Sequence, residues 1–211
     1  MEKAKLMMPK AKVPPTRRLC VYCGSSPGRN PAYLKSARDL GLAMAQAGIG
    51  LVYGGGSIGL MGEVARAVLA GGGHVTGIIP DFLVAKERML DGVNELVVTR
   101  SMHERKTLMF EKSAGFVALP GGIGTLEELA EMATWAQLAR HTKPIIICDV
   151  EGYWSHLLAL IKHMRGEGFI RAETEVDIAM AKTAAEVVPL FEDRLATTKP
   201  RVPLEAIRKQ L

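Results

Sequence analysis

Cysteine is scarce in this chain. Cys20, Cys23 and Cys148 are too few for a disulfide framework. Cys20 and Cys23 form a C-x-x-C, but inside an apolar strand-like run, where residues three apart point to opposite faces. No second pair completes a zinc site, so these read as buried thiols in a reducing cytoplasm. Aromatic residues make up only 5 %, which argues against the aromatic-studded basic stripe of a nucleic-acid interface. No apolar run approaches the length of a membrane span. A P-loop is absent, because no glycine precedes Lys and Ser/Thr in the required order. The His, Asp and Glu positions show no metal-ligand spacing. Neither a metal nor a redox cofactor is expected.

Positive charge is present but uneven. The net charge is +5 over 211 residues, and Lys3, Lys5, Lys10, Lys12, Arg17 and Arg18 face only Glu2 at the N-terminal end. That stretch lacks the apolar core and small-residue cleavage site of a secretory signal. Glu2 and the prolines argue against a mitochondrial presequence. A disordered basic arm over residues 1–17 is expected, then one domain over 18–195, then a polar, proline-marked C-terminal extension over 196–211.

Short apolar runs alternate with helix-period segments. "RLCVYCG", "IGLVYGGG", "HVTGIIP", "ELVVT", "GFVALPGG", "KPIIICDV" and "EVDIAMAK" read as strands. Between them, "NPAYLKSARDLGLAMAQAG" carries Asn30 as a cap and Pro31 at the first helical position. "GLMGEVARAVLAGGG", "SMHERKTLMFEKSA", "GTLEELAEMATWAQLARH", "YWSHLLALIKHMRGEG" and "AAEVVPLFEDRLA" read as further helices. The strands are near-continuous apolar runs, as expected for strands buried on both faces of a parallel sheet. The fold class is α/β: a Rossmann-like, doubly wound parallel sheet with helices on both faces.

Ligands of such sheets bind outside the carboxyl ends of the strands. Three glycine-bearing turns fall there: "CGSSPG", "YGGGSIGLMG" and "LPGGIGT". Gly54, Gly56 and Gly59 loosely match a dinucleotide fingerprint, with Asp81 as its acid, but the match follows the second strand rather than the first. A tight turn with close helix–sheet packing explains those glycines equally. In "PGGIGT", Gly121, Gly122 and Gly124 let backbone N–H groups turn toward an anion. Thr125 adds a hydroxyl and the following helix a partial positive charge. A phosphate monoester suits this cradle.

Thr125-Leu126-Glu127-Glu128 also fits a capping box, in which Glu128 would reach back to the N–H of Thr125. Spacing alone does not choose between that role and catalysis. Glu131 lies farther from the turn and is expected to be solvated. "SMHERK" brings Arg105 and Lys106 to a helix start, where they suit a phosphate or developing anion. An exposed basic turn, with His103 and Glu104 equally solvated, is the plainer reading of that pair.

The combination of "SMHERK" with "LPGGIGTLEE" resembles the LONELY GUY (LOG) family of cytokinin-activating phosphoribohydrolases, with its PGGxGTxxE signature complete from Pro120 to Glu128. "CVYCGSSPG", "LVYGGGSIGLMG", "HVTGIIP", "TWAQLARHTKPI" and "GYWSHLLALI" look like family segments in order. The resemblance implies cleavage of the N-glycosidic bond of N6-substituted adenosine 5′-monophosphates, with no cofactor. It implies that Arg105 and Glu128 are catalytic and that Gly121, Gly122, Ile123, Gly124 and Thr125 hold the phosphate, with Leu126 and Glu127 continuing the binding segment. Lys106, Glu87 and Thr134 match substrate-contacting positions, and Ser25, Gly55 and Gly56 line the same crevice. Ile123 departs from the tyrosine of many plant members. The resemblance also implies a homodimer acting on a small nucleotide, with neither nucleic acid nor membrane as partner. The lysine decarboxylase description sometimes given to this family finds no pyridoxal-phosphate site in the sequence. A nucleotide or molybdenum-cofactor carrier on the same fold, which needs no Arg105–Glu128 pair, is the alternative, and an NAD-dependent oxidoreductase is a third reading.

Overall fold

All seven expected strands form, and all pair in parallel. The computed structural model describes residues 17–84, 89–171 and 175–197; Glu87, the basic arm before Arg17 and the C-terminal extension beyond Thr197 lie outside them. The strands are β1 (Arg18–Tyr22), β2 (Gly50–Tyr53), β3 (Val75–Pro80), β4 (Glu95–Thr99), β5 (Gly115–Ala118), β6 (Ile145–Cys148) and β7 (Ile178–Ala181). Their order across the sheet is β4-β3-β2-β1-β5-β6-β7. The chain therefore builds outward from β1 in one direction and, after crossing back, from β5 in the other. The switch point lies between β1 and β5, where open α/β sheets place their ligands.

The helices are α1 (Pro31–Gln46), α2 (Gly59–Ala70), the single turn α3 (Asp81–Val84), α4 (Met102–Glu111), α5 (Ile123–Gln137), α6 (Ser155–Gly166) and α7 (Ala184–Thr197). Asn30 caps α1 as expected, its side chain accepting from Ala32 N at 2.9 Å with Pro31 at the first helical position. Helices cover both faces. Leu40 of α1, Val64 of α2 and Val187 of α7 pack with Leu19, Val21 and Leu51 on one side. Met109 of α4 and Leu129 and Met132 of α5 pack with Cys20, Tyr22 and Phe116 on the other. Alternate residues of β1 thus feed opposite cores, as the period-two geometry of a strand requires. Cys20 and Cys23 fall on opposite sides, both buried and unpaired.

Two strands depart from the expectation of full burial. β4, at one edge, alternates, and its Val98 is 53 % exposed. β7, at the other edge, exposes Met180. An edge strand has a neighbour on one side only, so its outer side chains are incompletely covered.

Candidate active site

The three glycine turns meet at the carboxyl ends of the strands. Gly24 N donates to Pro120 O at 3.0 Å, tying the turn after β1 to the turn after β5. Leu60 N donates to Gly24 O at 3.0 Å, which brings the start of α2 to the same place. A cavity of about 270 Å³ opens there, lined among others by Ser25, Leu60, Gly121, Gly122 and Tyr153.

α5 begins inside this junction. Gly122 is its cap residue, with extended backbone, and no side chain caps the helix. The first intrahelical bond is Leu126 N to Gly122 O at 3.1 Å. The N–H groups of Gly122, Ile123, Gly124 and Thr125 are therefore the four that a helix leaves unsatisfied at its start. Gly122, Ile123 and Gly124 are exposed, with Ile123 82 % so, whereas Thr125 is buried. The capping box is not formed. Thr125 sits inside the helix as its third residue, and the Glu128 carboxylate turns toward α4.

There it meets Arg105, Nη2 to Oε1 at 3.4 Å, with both side chains about nine-tenths buried. The exposed basic turn expected for "SMHERK" is thus corrected for Arg105: α4 turns its first-turn arginine inward, while His103 and Glu104 stay exposed. Ser101 caps that turn, accepting from Glu104 N at 3.1 Å, and Glu104 accepts in return from Arg100 N at 2.8 Å. This is close to a capping box, and the Ser-x-x-Glu spacing of Ser101 and Glu104 was the readable signal for it. Arg105 Nε donates to Ile78 O at 3.3 Å. A Cβ on Gly54 would lie 2.4 Å from Arg105 Nη2, so this glycine makes room for the guanidinium, whereas a Cβ on Gly59 would meet the Ser25 backbone. Gly55 has φ +84, a conformation side chains rarely adopt, and Gly56 bridges to Met89. Asp81, the acid of the loose fingerprint, accepts from the N–H of Phe82 beside it.

Lys106 lies on the neighbouring face of α4. Its ammonium donates to Glu127 at 2.6 Å and to Glu131 at 3.2 Å. Glu131 is accordingly not the solvated acid expected from its place in the helix, because Lys106 draws it toward α4. Burial alone would lower the Lys106 pKa, but the bonds from both carboxylates raise it. A lysine so held stays protonated, the wrong state for forming a Schiff base. Glu128 behaves oppositely to a surface acid. Burial raises its pKa from 4.5 to about 7, against the charge of Arg105 and with the help of Glu127. The structure thus gathers Arg105, Lys106, Glu127 and Glu128 on the facing sides of α4 and α5, one helical turn from the free N–H groups. Thr134 is not among them: it is exposed, bonds to Ala130 O, and lines a groove between α5 and α6. Among the described residues no three His, Cys, Asp or Glu side chains gather into a metal-binding group.

Comparison with known proteins identifies the family. A family model described as "possible lysine decarboxylase" matches residues 61–191. A protein of Oryza sativa subsp. japonica named probable cytokinin riboside 5′-monophosphate phosphoribohydrolase LOGL5 is 47 % identical over 84 % of this chain and 72 % of its own length. The Arabidopsis thaliana cytokinin riboside 5′-monophosphate phosphoribohydrolase LOG3 is 49 % identical over 84 % of this chain and 82 % of its own. The chain belongs to the LOG family. Among solved structures, the molybdenum cofactor carrier protein of Chlamydomonas reinhardtii shares the fold, with a TM-score of 0.65 at 22 % identity over 86 % of this chain and 99 % of that one. The molybdenum cofactor binding protein of Rippkaea orientalis does so with a TM-score of 0.62 at 22 % identity over 84 % and 96 %. That likeness concerns the LOG fold alone. Tyr153, whose hydroxyl donates to Gly121 O at 2.5 Å in this LOG protein, carries no signal in the sequence beyond its place in a family-like segment.

Proposed function

We propose that this protein hydrolyses the N-glycosidic bond of N6-substituted adenosine 5′-monophosphates, releasing the free base and ribose 5-phosphate. The observation that carries the reading is the buried Arg105–Glu128 pair one helical turn from four unsatisfied N–H groups. The relatives' names supply the substrate class.

The N–H groups of Gly122 to Thr125 and the dipole of α5 hold the dianionic phosphate. Binding energy from that remote group orients the ribose against Glu128. As the bond to the base stretches, positive charge gathers on the ribose, and the Glu128 carboxylate stabilises it. Glu128 also accepts a proton from the water that adds to the anomeric carbon, and returns that proton, directly or through a second water, to the ring nitrogen of the departing base. A carboxyl with a pKa of about 7 is suited to both accepting and returning a proton near neutral pH. Arg105 holds the carboxylate in place and keeps its pKa from rising further.

We also infer a homodimer through the α5–α6 groove. α6 buries none of its residues, although it carries Leu157, Leu158, Leu160, Ile161 and Met164. Leu160 is 48 % and Met164 39 % exposed. A second copy covering this stripe accounts for its apolar character. Met132, by contrast, is core, and Leu138 is 53 % exposed. Three unpaired thiols suit a reducing compartment, in keeping with a cytoplasmic protein. The test of function compares AMP, its N6-isopentenyl derivative and the corresponding riboside, with ribose 5-phosphate and free base quantified. Preferred release from the prenylated monophosphate supports the reading, and stable binding without turnover would favour a carrier.

A further inference from the structure

Tyr153 takes no part in the chemistry above, yet the chain is shaped to deliver it. After β6 the backbone passes through Glu151 at φ 52 and Gly152 at φ 71. The left-handed region is uncommon for a residue such as Glu151 and is kept where surrounding structure imposes it. Asp149 closes the turn by accepting from Trp154 N at 2.6 Å. The Tyr153 ring then stands edge-on to Tyr33 of α1, centroids 5.4 Å apart, and to Trp154, 5.0 Å apart. Its hydroxyl ends on one backbone oxygen, that of Gly121, at 2.5 Å.

That oxygen belongs to the peptide that leads into α5. The bond is trans, so the Gly121 carbonyl and the Gly122 N–H point in opposite directions. Fixing the carbonyl on Tyr153 turns the Gly122 N–H away from it and leaves it free to donate. Two successive glycines would otherwise let this peptide rotate at little steric cost.

We infer that Tyr153 is a positioning residue of the anion cradle: its hydroxyl fixes the Gly121–Gly122 peptide so that the Gly122 N–H is held ready for a phosphate monoester. The inference rests on the proposed 5′-phosphate site, and Tyr153 itself touches no reacting atom.

Tyr153→Phe keeps the ring and removes the bond. Calorimetric titration with ribose 5-phosphate, thermal melting, and turnover of N6-isopentenyl AMP beside its riboside are measured on the full chain. The dissociation constant for ribose 5-phosphate and the KM for the monophosphate are expected to rise about fivefold to tenfold, the worth of one hydrogen bond. Unchanged melting temperature and unchanged riboside turnover are expected alongside, because neither depends on the phosphate cradle. Unaltered ribose 5-phosphate affinity would overturn the inference. So would equal losses on monophosphate and riboside together with a lowered melting temperature, which would mark a structural role. If the wild type binds ribose 5-phosphate but hydrolyses nothing, the proposed reaction fails, and weaker binding by the variant still upholds the role of Tyr153. If the wild type does not bind it, cradle and positioning role fall together.

Discussion

The guanidinium of Arg105 faces the carboxylate of Glu128 at 3.4 Å, and both are about nine-tenths buried. This contact joins α4 to α5. At 3.4 Å it is a charge contact looser than a well-formed charge-assisted hydrogen bond. Glu128 therefore retains unused acceptor capacity for a substrate or a water.

Burial raises the Glu128 pKa from 4.5 to about 7, so the fold favours the protonated form. The stabilisation is fully present below the unfolded value and is lost as pH rises through the folded one. Between those limits wild-type stability should decline by about 3 kcal/mol at most. Glu128→Gln removes the titration, so its melting temperature should gain on the wild type as pH rises across that window. Parallel melting curves against pH would contradict the assignment.

The ionised carboxylate is the working form in hydrolysis. kcat/KM should therefore fall as pH drops below about 7. Arg105→Met removes the charge that opposes the upward shift of Glu128, so the acid limb of the rate profile should move to higher pH, with activity lowered about 100-fold or more. An acid limb that stays in place would detach Arg105 from Glu128.

Two adjacent glycines should respond differently to alanine. A Cβ at Gly121 would lie 2.1 Å from Thr125 Oγ1 and 2.8 Å from Gly24 N. Gly121→Ala should cost about 1–3 kcal/mol of stability by overpacking. At Gly122 nothing lies within 4 Å of the added atom. Gly122→Ala should cost no more than about 1 kcal/mol, the difference between glycine and alanine at a helix cap, but raise the KM of a phosphorylated substrate. Denaturant melts and steady-state kinetics on both variants decide this.

Leu160→Glu places a charge in the apolar stripe of α6. A homodimer closed over that stripe should dissociate, and sedimentation velocity should show the monomer mass for the variant and twice that mass for the wild type. A wild-type monomer would contradict the proposed interface.

Much of this was legible in the sequence because the strands are long apolar runs and the caps are local. The strand identities, the Asn30–Pro31 helix start and the convergence of three glycine turns follow from residue type and spacing. The inward turn of Arg105 did not, because what draws it in is Ile78 O and Glu128, distant in sequence. The same holds for Glu131, whose partner Lys106 sits on another helix. The capping box at Thr125 shows the converse. The spacing was right, but Gly122 starts α5 three residues earlier, and that shift releases Glu128 to face α4. Tyr153 depends on a left-handed turn at a glutamate, which residue preference argues against.

The most direct test of the account is product analysis with N6-isopentenyl AMP, wild type and Glu128→Gln side by side, with circular dichroism confirming that both are folded. The account predicts equimolar isopentenyladenine and ribose 5-phosphate from the wild type and a loss of about 100-fold or more in the variant, the scale of a positioned acid–base group. Equal turnover by both proteins, or products other than free base and ribose 5-phosphate, would contradict it.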